Sequence, residues 1–591
     1  MKQFFKTVFA STFGVLIAVG ILGLCSFFMI VGIAASAGGS SEYVPEKNAV
    51  FKLSLSGTLV EQAVKNPFSE LMGESSSQVA VQDVIKAIRR AKTNENIKGI
   101  YMEAGSLSGG FASLEAIRRE LQDFKESGKF IVSYGDSYTQ GSYYLCSVAD
   151  SVFLNPQGSV SLVGLASQGI FYTGLAEKIG VEHYIFKVGT YKSAVEPYFL
   201  KKFSDANREQ LTALLGSVWG NITSAIEGSR AISSDELNRY MNEGLAMGQA
   251  SNAIDSKLAD GLRYRYEVEN TVKEMAGQDA DGKLKTADVD KVASIKVKEK
   301  ENKDKITVLY AEGEIREDES SSPFGADEQV ISEEMAKKLR KLKDDDNVKA
   351  VVFRVNSPGG SAYLSEQIWK EVVELKAKKP IVVSMGNYAA SGGYYISCAA
   401  NKIVAERTTL TGSIGVFGVF RNFTGTFEKL GVTTDIVKTN TFADLGDISR
   451  PMREDEKALI QRSIEQTYDL FLTRCADGRG MTKAEIDSIG QGRVWTGEQA
   501  LERGLVDQLG GLDVAIKEAA TLANLTDYSV TVADGPKDFF TKFLEKKMDG
   551  VKVSMVKSVL GEEQFKLFSA IRQAETESGI IARMPFTISG L

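Results

Sequence analysis

Two long stretches of the chain share one rhythm of apolar and polar positions. In each, a β-branched run meets a Gly-Gly turn, then a long segment with apolar residues at three- and four-residue spacing, then a second apolar run and turn. SYGDSYTQGSYYLCSVADSVFL (133–154) lies over SMGNYAASGGYYISCAANKIVA (384–405) at a constant offset of 251 residues. AEKIGVEHYIFKV (176–188) lies over FEKLGVTTDIVKT (427–439) at the same offset, and NIKGIYMEAGSLSGG (96–110) over NVKAVVFRVNSPGG (347–360) with one inserted residue. The alternation of strand and helix patterns implies right-handed βαβ crossovers and a largely parallel sheet in each repeat. The pattern predicts two tandem α/β domains, over 42–277 and 306–535.

Three segments fall outside this rhythm. Residues 1–41 carry Lys2 and Lys6 and then no charge from Thr7 to Ser41, and Phe13–Ala35 supplies 23 mostly apolar residues, enough for one spanning helix. The lysines on the short side predict that this end stays in the cytoplasm and the rest crosses the membrane. Ala35-Ser36-Ala37 resembles a cleavage site, so a signal peptide is the competing reading, although the apolar stretch is longer than such segments usually are. Residues 278–305, with KVKEKENKDK, are charged and lack an apolar face, which predicts a linker. In 536–591, Phe539, Phe540, Phe543 and Leu544 with interspersed lysines predict an amphipathic helix, packed on a membrane surface or on the protein itself.

Composition narrows the chemistry. The 591 residues are 43% hydrophobic and 25% charged with a net charge of −7, ordinary for globular protein and without the basic excess that nucleic acid would require. Cys25, Cys146, Cys398 and Cys475 show no metal-binding or disulfide spacing. The single histidine, His183, excludes multi-histidine metal sites and leaves one candidate for a Ser-His pair; it sits where a helix pattern gives way to a strand, and Thr434 is its repeat counterpart. A surface imidazole is expected there, so a serine nucleophile in this chain would need a lysine as its base.

The candidate nucleophile is Ser391, in Ala389-Ala390-Ser391-Gly392-Gly393. It follows the strand pattern of Ile381–Val383 and precedes a helix-like run from Tyr394, where unpaired N–H groups and a positive dipole end would stabilise an oxyanion. A plain helix cap is the other reading of the same serine. The repeat supplies a contrast: Ser391 corresponds to Gln140, and Lys192, in GTYKSAVEP, corresponds to Ala443, whereas Lys187 keeps a lysine partner in Lys438. Complementary loss of this kind points to one composite site, with a base from one half and a nucleophile from the other.

NSPGG (356–360), YAASGGYYI (388–396), LTGSIGVFG (410–418), GTYKSAVEP (189–197) and GRVWTGEQALERGLVD (492–507) resemble the long, duplicated type of the signal peptide peptidase A family. The resemblance covers both halves and the apolar N-terminal stretch. It implies two tandem domains of the Clp-protease/crotonase fold behind one transmembrane helix, anchored in the bacterial inner membrane with the catalytic part outside the cytoplasm, and a serine endopeptidase acting on cleaved signal peptides and other short apolar peptides. It implies no cofactor and no metal. Residue by residue it makes Ser391 the nucleophile, Lys192 the general base and Ser413 the residue that orients the lysine; Gln140 agrees with a first repeat that lacks the nucleophile.

A lysine near its ordinary pKa is protonated at neutral pH, so Lys192 must be desolvated to serve as a base. Gly392 N–H is one candidate oxyanion donor, and the backbone at Gly359-Gly360 is the other, although Pro358-Gly359-Gly360 also reads as a simple strand-to-helix turn. The fold by itself also permits acyl-CoA chemistry, and a silent membrane scaffold is the third reading. The resemblance implies single-repeat relatives with both serine and lysine that form rings of identical subunits, so a homo-oligomer, most simply a tetramer, is expected here, with Lys192 and Ser391 meeting within one chain or, as the alternative, between neighbouring chains of the ring.

Overall fold

A computed structural model of the chain describes residues 43–63, 78–297, 302–317 and 330–533, the backbone of 579–583, and isolated residues 6, 14, 17 and 21. Among these, no helix is long and apolar enough to cross a membrane. The stretch expected as an anchor lies, but for Gly14, Ile17 and Ile21, outside the described residues, as does the C-terminal extension apart from 579–583.

Each half builds its own parallel sheet. In the first, the strands run in the order Thr286–Ala287, Ala49–Val60, Ile97–Ser108, Phe130–Gly135, Ser151–Leu154 and Gly261–Leu262, every neighbour parallel. In the second, the order is Val494–Thr496, Leu410–Gly412, Ile381–Ala390, Val348–Ser357, Lys305–Glu312 and Ser529–Val532, parallel except at Leu410–Gly412 with Val494–Thr496. The central strands Val348–Ser357 and Ile381–Ala390 are almost wholly buried, as their near-continuous apolar runs require when both faces of a sheet are covered. The helices after the Gly-Gly turns, Phe111–Lys125 and Ala362–Lys376, have the same length and stand 251 residues apart; Ser361 caps the second by accepting from Leu364 N–H.

A third sheet joins the halves. Its order is Val330–Ile331, Glu314–Ile315, Gly359–Ser361, Gly579–Arg583, Val416–Asn422 and Glu182–Val188. The last strand comes from the first half and pairs antiparallel with the second half's Val416–Asn422 along its full length. Elsewhere the halves are held by charge: buried Arg354 grips buried Glu61 with two bonds of 2.7 and 3.0 Å, and the partly exposed Arg119 grips buried Glu406 with two of 2.6 and 3.0 Å. Removing one partner of the buried Arg354–Glu61 pair costs about 3–5 kcal/mol, so that contact helps fix how the halves meet.

Two expectations change. The linker read from charge over 278–305 is much shorter: Thr286–Ala287 extends the first sheet beside Ala49–Val60, and the helix Val289–Ala293 buries Val292 on the first core. The charges there lie on the outer face while Val292, Ala293 and Ile295 supply a small apolar one, too brief for a periodicity reading to register. The helix expected from Tyr394 is a single turn, Gly392–Tyr395, followed by turns through Ala399. The apolar run is there because the segment is buried on every side, and a segment buried all round carries no periodicity that separates helix from turn.

Candidate active site

Ser391 stands where the strand Ile381–Ala390 ends, and its backbone takes φ 55° and ψ −114°, a conformation that favours glycine. Such a residue stores about 1–3 kcal/mol of strain, which the surroundings must hold in place. Ser391 N–H donates to Gly412 O at 2.8 Å, and Tyr395 N–H donates back to Ser391 O at 2.9 Å. Ser413 is also held at positive φ, 53°, its N–H donating to Arg493 O at 2.7 Å. Two strand ends thus present two serines to one point.

Lys192 reaches that point from the first half. It follows the crossing strand Glu182–Val188 and precedes the short 3-10 turn Ser193–Tyr198. Its Nζ lies 2.8 Å from Ser391 Oγ, 2.9 Å from Ser413 Oγ and 3.0 Å from Ser413 O, all in one chain. The side chain is fully buried. Among the described residues it forms no salt bridge, and burial alone drives its pKa well below the ordinary lysine value. A neutral amine has two N–H groups and one lone pair, which match these three neighbours: the N–H groups serve the Ser413 oxygens, and the lone pair accepts Ser391 O–H.

Several residues that sequence reading did not single out build this pocket. A Cβ on Gly492, at φ 77°, would lie 2.6 Å from Lys192 Cβ, and one on Gly415 would lie 3.2 Å from Lys192 Cδ. The lysine stem is therefore clamped between two backbones that only glycine lets approach. Gln210 Nε2 donates to Tyr191 O and Ser193 Oγ, both at 3.0 Å, on either side of Lys192, while its Oε1 accepts from Val494 N–H across the joint. Both glycines sit inside the quoted motifs, so their presence was a signal; Gln210 lies in a long helix with none.

The candidate oxyanion residues are also brought together. Gly392, first in its helical turn, has no intrahelical acceptor for its N–H. A Cβ there would lie 3.1 Å from both Gly359 Cα and Gly360 N, so the two glycine segments face each other beside Ser391. Gly359 N–H donates to Ser357 Oγ at 3.2 Å, which engages one of the expected donors. Between Gly359–Ser361 and Val416–Val419 runs the strand Gly579–Arg583, antiparallel to both, with Gly360 opposite Ala582 and Phe417 opposite Ile581. His183 lies elsewhere: it is half-buried on the crossing strand opposite Arg421, with its ring 5.0 Å from Tyr198, and burial and Arg421 hold its pKa below the ordinary value.

The matching place in the first half is filled differently. Gln140 opens an ordinary helix, and its Oε1 accepts from Val163 N–H at 3.2 Å and Gly164 N–H at 3.0 Å. The counterpart of Ser413 is Leu162, fully buried.

Comparison with known proteins identifies the family. The profile of peptidase family S49 matches residues 123–279 and again 373–526, and that of Clp protease matches 303–413. Protease 4 of Salmonella typhi is 34% identical over 581 residues, covering 95% of this chain and 93% of that protein. The chloroplastic serine protease SPPA of Arabidopsis thaliana is 33% identical over 485 residues, covering 81% and 70%. A candidate signal peptide peptidase SppA of Enterococcus faecium is 38% identical over 227 residues, 38% of this chain and 66% of that protein. Two family matches in tandem, with identity running through nearly the whole length of a long relative, establish that the chain belongs to peptidase family S49 in its long, duplicated form and is a serine peptidase of Clp-protease-like α/β fold.

Proposed function

We propose that this chain is a membrane-anchored endopeptidase that degrades cleaved signal peptides and other short apolar peptides outside the cytoplasm, with Ser391 as nucleophile and Lys192 as general base. The observation that carries the reading is the buried, desolvated lysine 2.8 Å from a strained serine. As Ser391 Oγ bonds to the scissile carbonyl carbon, Lys192 takes its proton. When the C–N bond breaks, Lys192 gives that proton to the departing amine, and a water repeats the exchange to release the acyl group and restore the serine. Ser413 fixes the rotamer of the lysine. Gly392 N–H, with Gly360 N–H from the facing segment, takes the developing oxyanion, while Gly359 keeps the approach close.

The strand Gly579–Arg583 supports a peptide substrate. An extended segment occupies the space between Gly359–Ser361 and Val416–Val419, and a peptide that displaced it would pair with the same two edges. The anchor is the apolar stretch 13–35, and the working protein is a homo-oligomer, most simply a tetramer. The test is digestion of a synthetic signal peptide by the full chain in detergent, with products read by mass spectrometry. Cuts after small or apolar residues, absent with Ser391→Ala, are expected; an intact peptide, or cleavage that survives Ser391→Ala, refutes the proposal.

A further inference from the structure

Lys192 and the two serine turns belong to different halves, and one side chain touches the backbone on both sides of that divide. Gln210 lies on the first-half helix Asp205–Arg230 and is fully buried. The helix lays one face on the second half, at Gln210, Leu214, Ser217 and Asn221, spaced so that all four point the same way. Leu214 packs with Ala390, Leu410 and Val494, the hydroxyls of Ser217 and Thr496 share a hydrogen bond of 3.0 Å, and Asn221 Nδ2 donates to Glu498 Oε2 at 3.0 Å. The second half has a helix of the same length, Glu454–Arg479. Gln210 is the sixth residue of its helix; the sixth residue of the other is Leu459, which is exposed. The buried amide thus belongs to the half that supplies the lysine.

The neighbours of that amide allow it one orientation. Tyr191 O can only accept and Val494 N–H can only donate, so Nε2 must face the first and Oε1 the second. Asn207 Oδ1, 3.1 Å from Nε2, requires the same orientation, and Asn207 is held in turn because its Nδ2 donates to buried Glu196 at 2.9 Å. On one side, therefore, the amide binds both neighbours of Lys192, at Tyr191 O and Ser193 Oγ. On the other it binds Val494, which pairs with Gly412 in the sheet. Gly412 O accepts from Ser391 N–H, and Arg493 O, one residue before Val494, accepts from Ser413 N–H. A short path through one side chain links the backbone of the lysine to the backbones of both serines.

We infer that Gln210 is a positioning residue of the dyad: it fixes the backbone beside Lys192 against the turns that present Ser391 and Ser413, and so keeps the amine at hydrogen-bond distance from the nucleophile and out of water. The inference rests on the Ser391–Lys192 reading proposed above. The charged side chains of the surrounding elements are turned elsewhere: Glu196 to Ser204 and Asn207, Lys187 over the ring of Phe199, and Glu209 and Arg493 to each other at 2.9 Å. Among the described residues no carboxylate pairs with Lys192, so the position and the dryness of its amine depend on how its backbone and stem are held. Glycines clamp the stem, and Gln210 holds the backbone on either side.

Two variants of the full chain in detergent test this, with cleavage of a synthetic signal peptide followed against pH. Gln210→Met keeps the volume and loses the amide's bonds. Its kcat should fall about 10- to 100-fold with KM within about twofold, because a displaced reacting group costs rate rather than binding. Water that reaches the amine should also move the rise of kcat/KM to higher pH. Gln210→Glu keeps the shape and the acceptor for Val494 N–H but replaces the donor with a carboxyl group; turnover should fall again, and the rise should move to higher pH because a carboxylate there favours the ammonium form of Lys192. If the melting curve shows that Gln210→Met does not fold, Gln210→Glu decides alone. Leu459→Ala, at the equivalent place in the other helix, should change neither rate nor profile. Turnover within about twofold of wild type, a loss confined to KM, or a pH profile that stays in place overturns the role of Gln210 and leaves the dyad standing. Cleavage that survives Ser391→Ala overturns the dyad itself, and this inference with it.

Discussion

At equivalent places, one half of this protein holds a serine at φ 55° with a buried lysine against its hydroxyl, and the other holds a glutamine in a relaxed helical turn with its amide oxygen bonded to two backbone N–H groups. The half with the reactive geometry keeps a strained backbone and holds a desolvated amine that has hydrogen bonds but, among the described residues, no salt bridge, both of which cost stability. The half without it has exchanged these for an ordinary helix start and satisfied hydrogen bonds. At this pair of equivalent positions the strain sits in the half that carries the serine and lysine, and the other half shows the relaxed turn that the same place in the fold adopts without them.

The widest gap between the halves should appear in turnover. Ser391→Ala should lower peptide cleavage by at least about 10³-fold without loss of thermal stability, whereas Gln140→Ala should leave turnover within about twofold. Comparable losses from both substitutions, measured on one peptide, would show that the halves share the work.

Next in size is the effect of pH. With burial depressing its pKa, Lys192 becomes a competent base as pH rises through that lowered value, so activity should climb with pH, and His183→Gln should leave the profile unmoved. Stability follows the same group. Between the lowered pKa and 10.5 the unfolded chain binds a proton that the native chain does not, so native stability rises with pH across that window. Lys192→Met should abolish turnover and flatten that rise. A profile that shifts with His183→Gln while the fold stays intact would count against the lysine.

The smallest effect isolates the backbone. Ser391→Gly should stabilise the protein by about 1 kcal/mol by relieving the positive φ. Gln140→Gly should destabilise it by about 1 kcal/mol, through helix propensity and the lost bonds to Val163 and Gly164. Chemical denaturation of the two variants compares them directly; equal signs would mean that the two turns are not held differently.

The repeat, the α/β class and the Gly-Gly turns were legible in the sequence because they rest on local order: period, turn residues and a constant offset survive in one dimension. Ser391 stood out from its strand-to-turn pattern, with a plain helix cap as the other reading, and the complementary losses at Gln140 and Ala443 pointed to Lys192; the role of Ser413 came through family resemblance. Tertiary structure decided the rest. It took Glu182–Val188 from the first half into a sheet of the second, set Gly415 and Gly492 against the stem of Lys192, and laid Gly579–Arg583 between Gly359–Ser361 and Val416–Val419. It also folded the charged stretch after 278 partly onto the first core. These contacts join residues tens to hundreds of positions apart, and what selects them is the burial of a particular surface against another; a chain's local pattern states that a face is apolar but not which distant face will cover it.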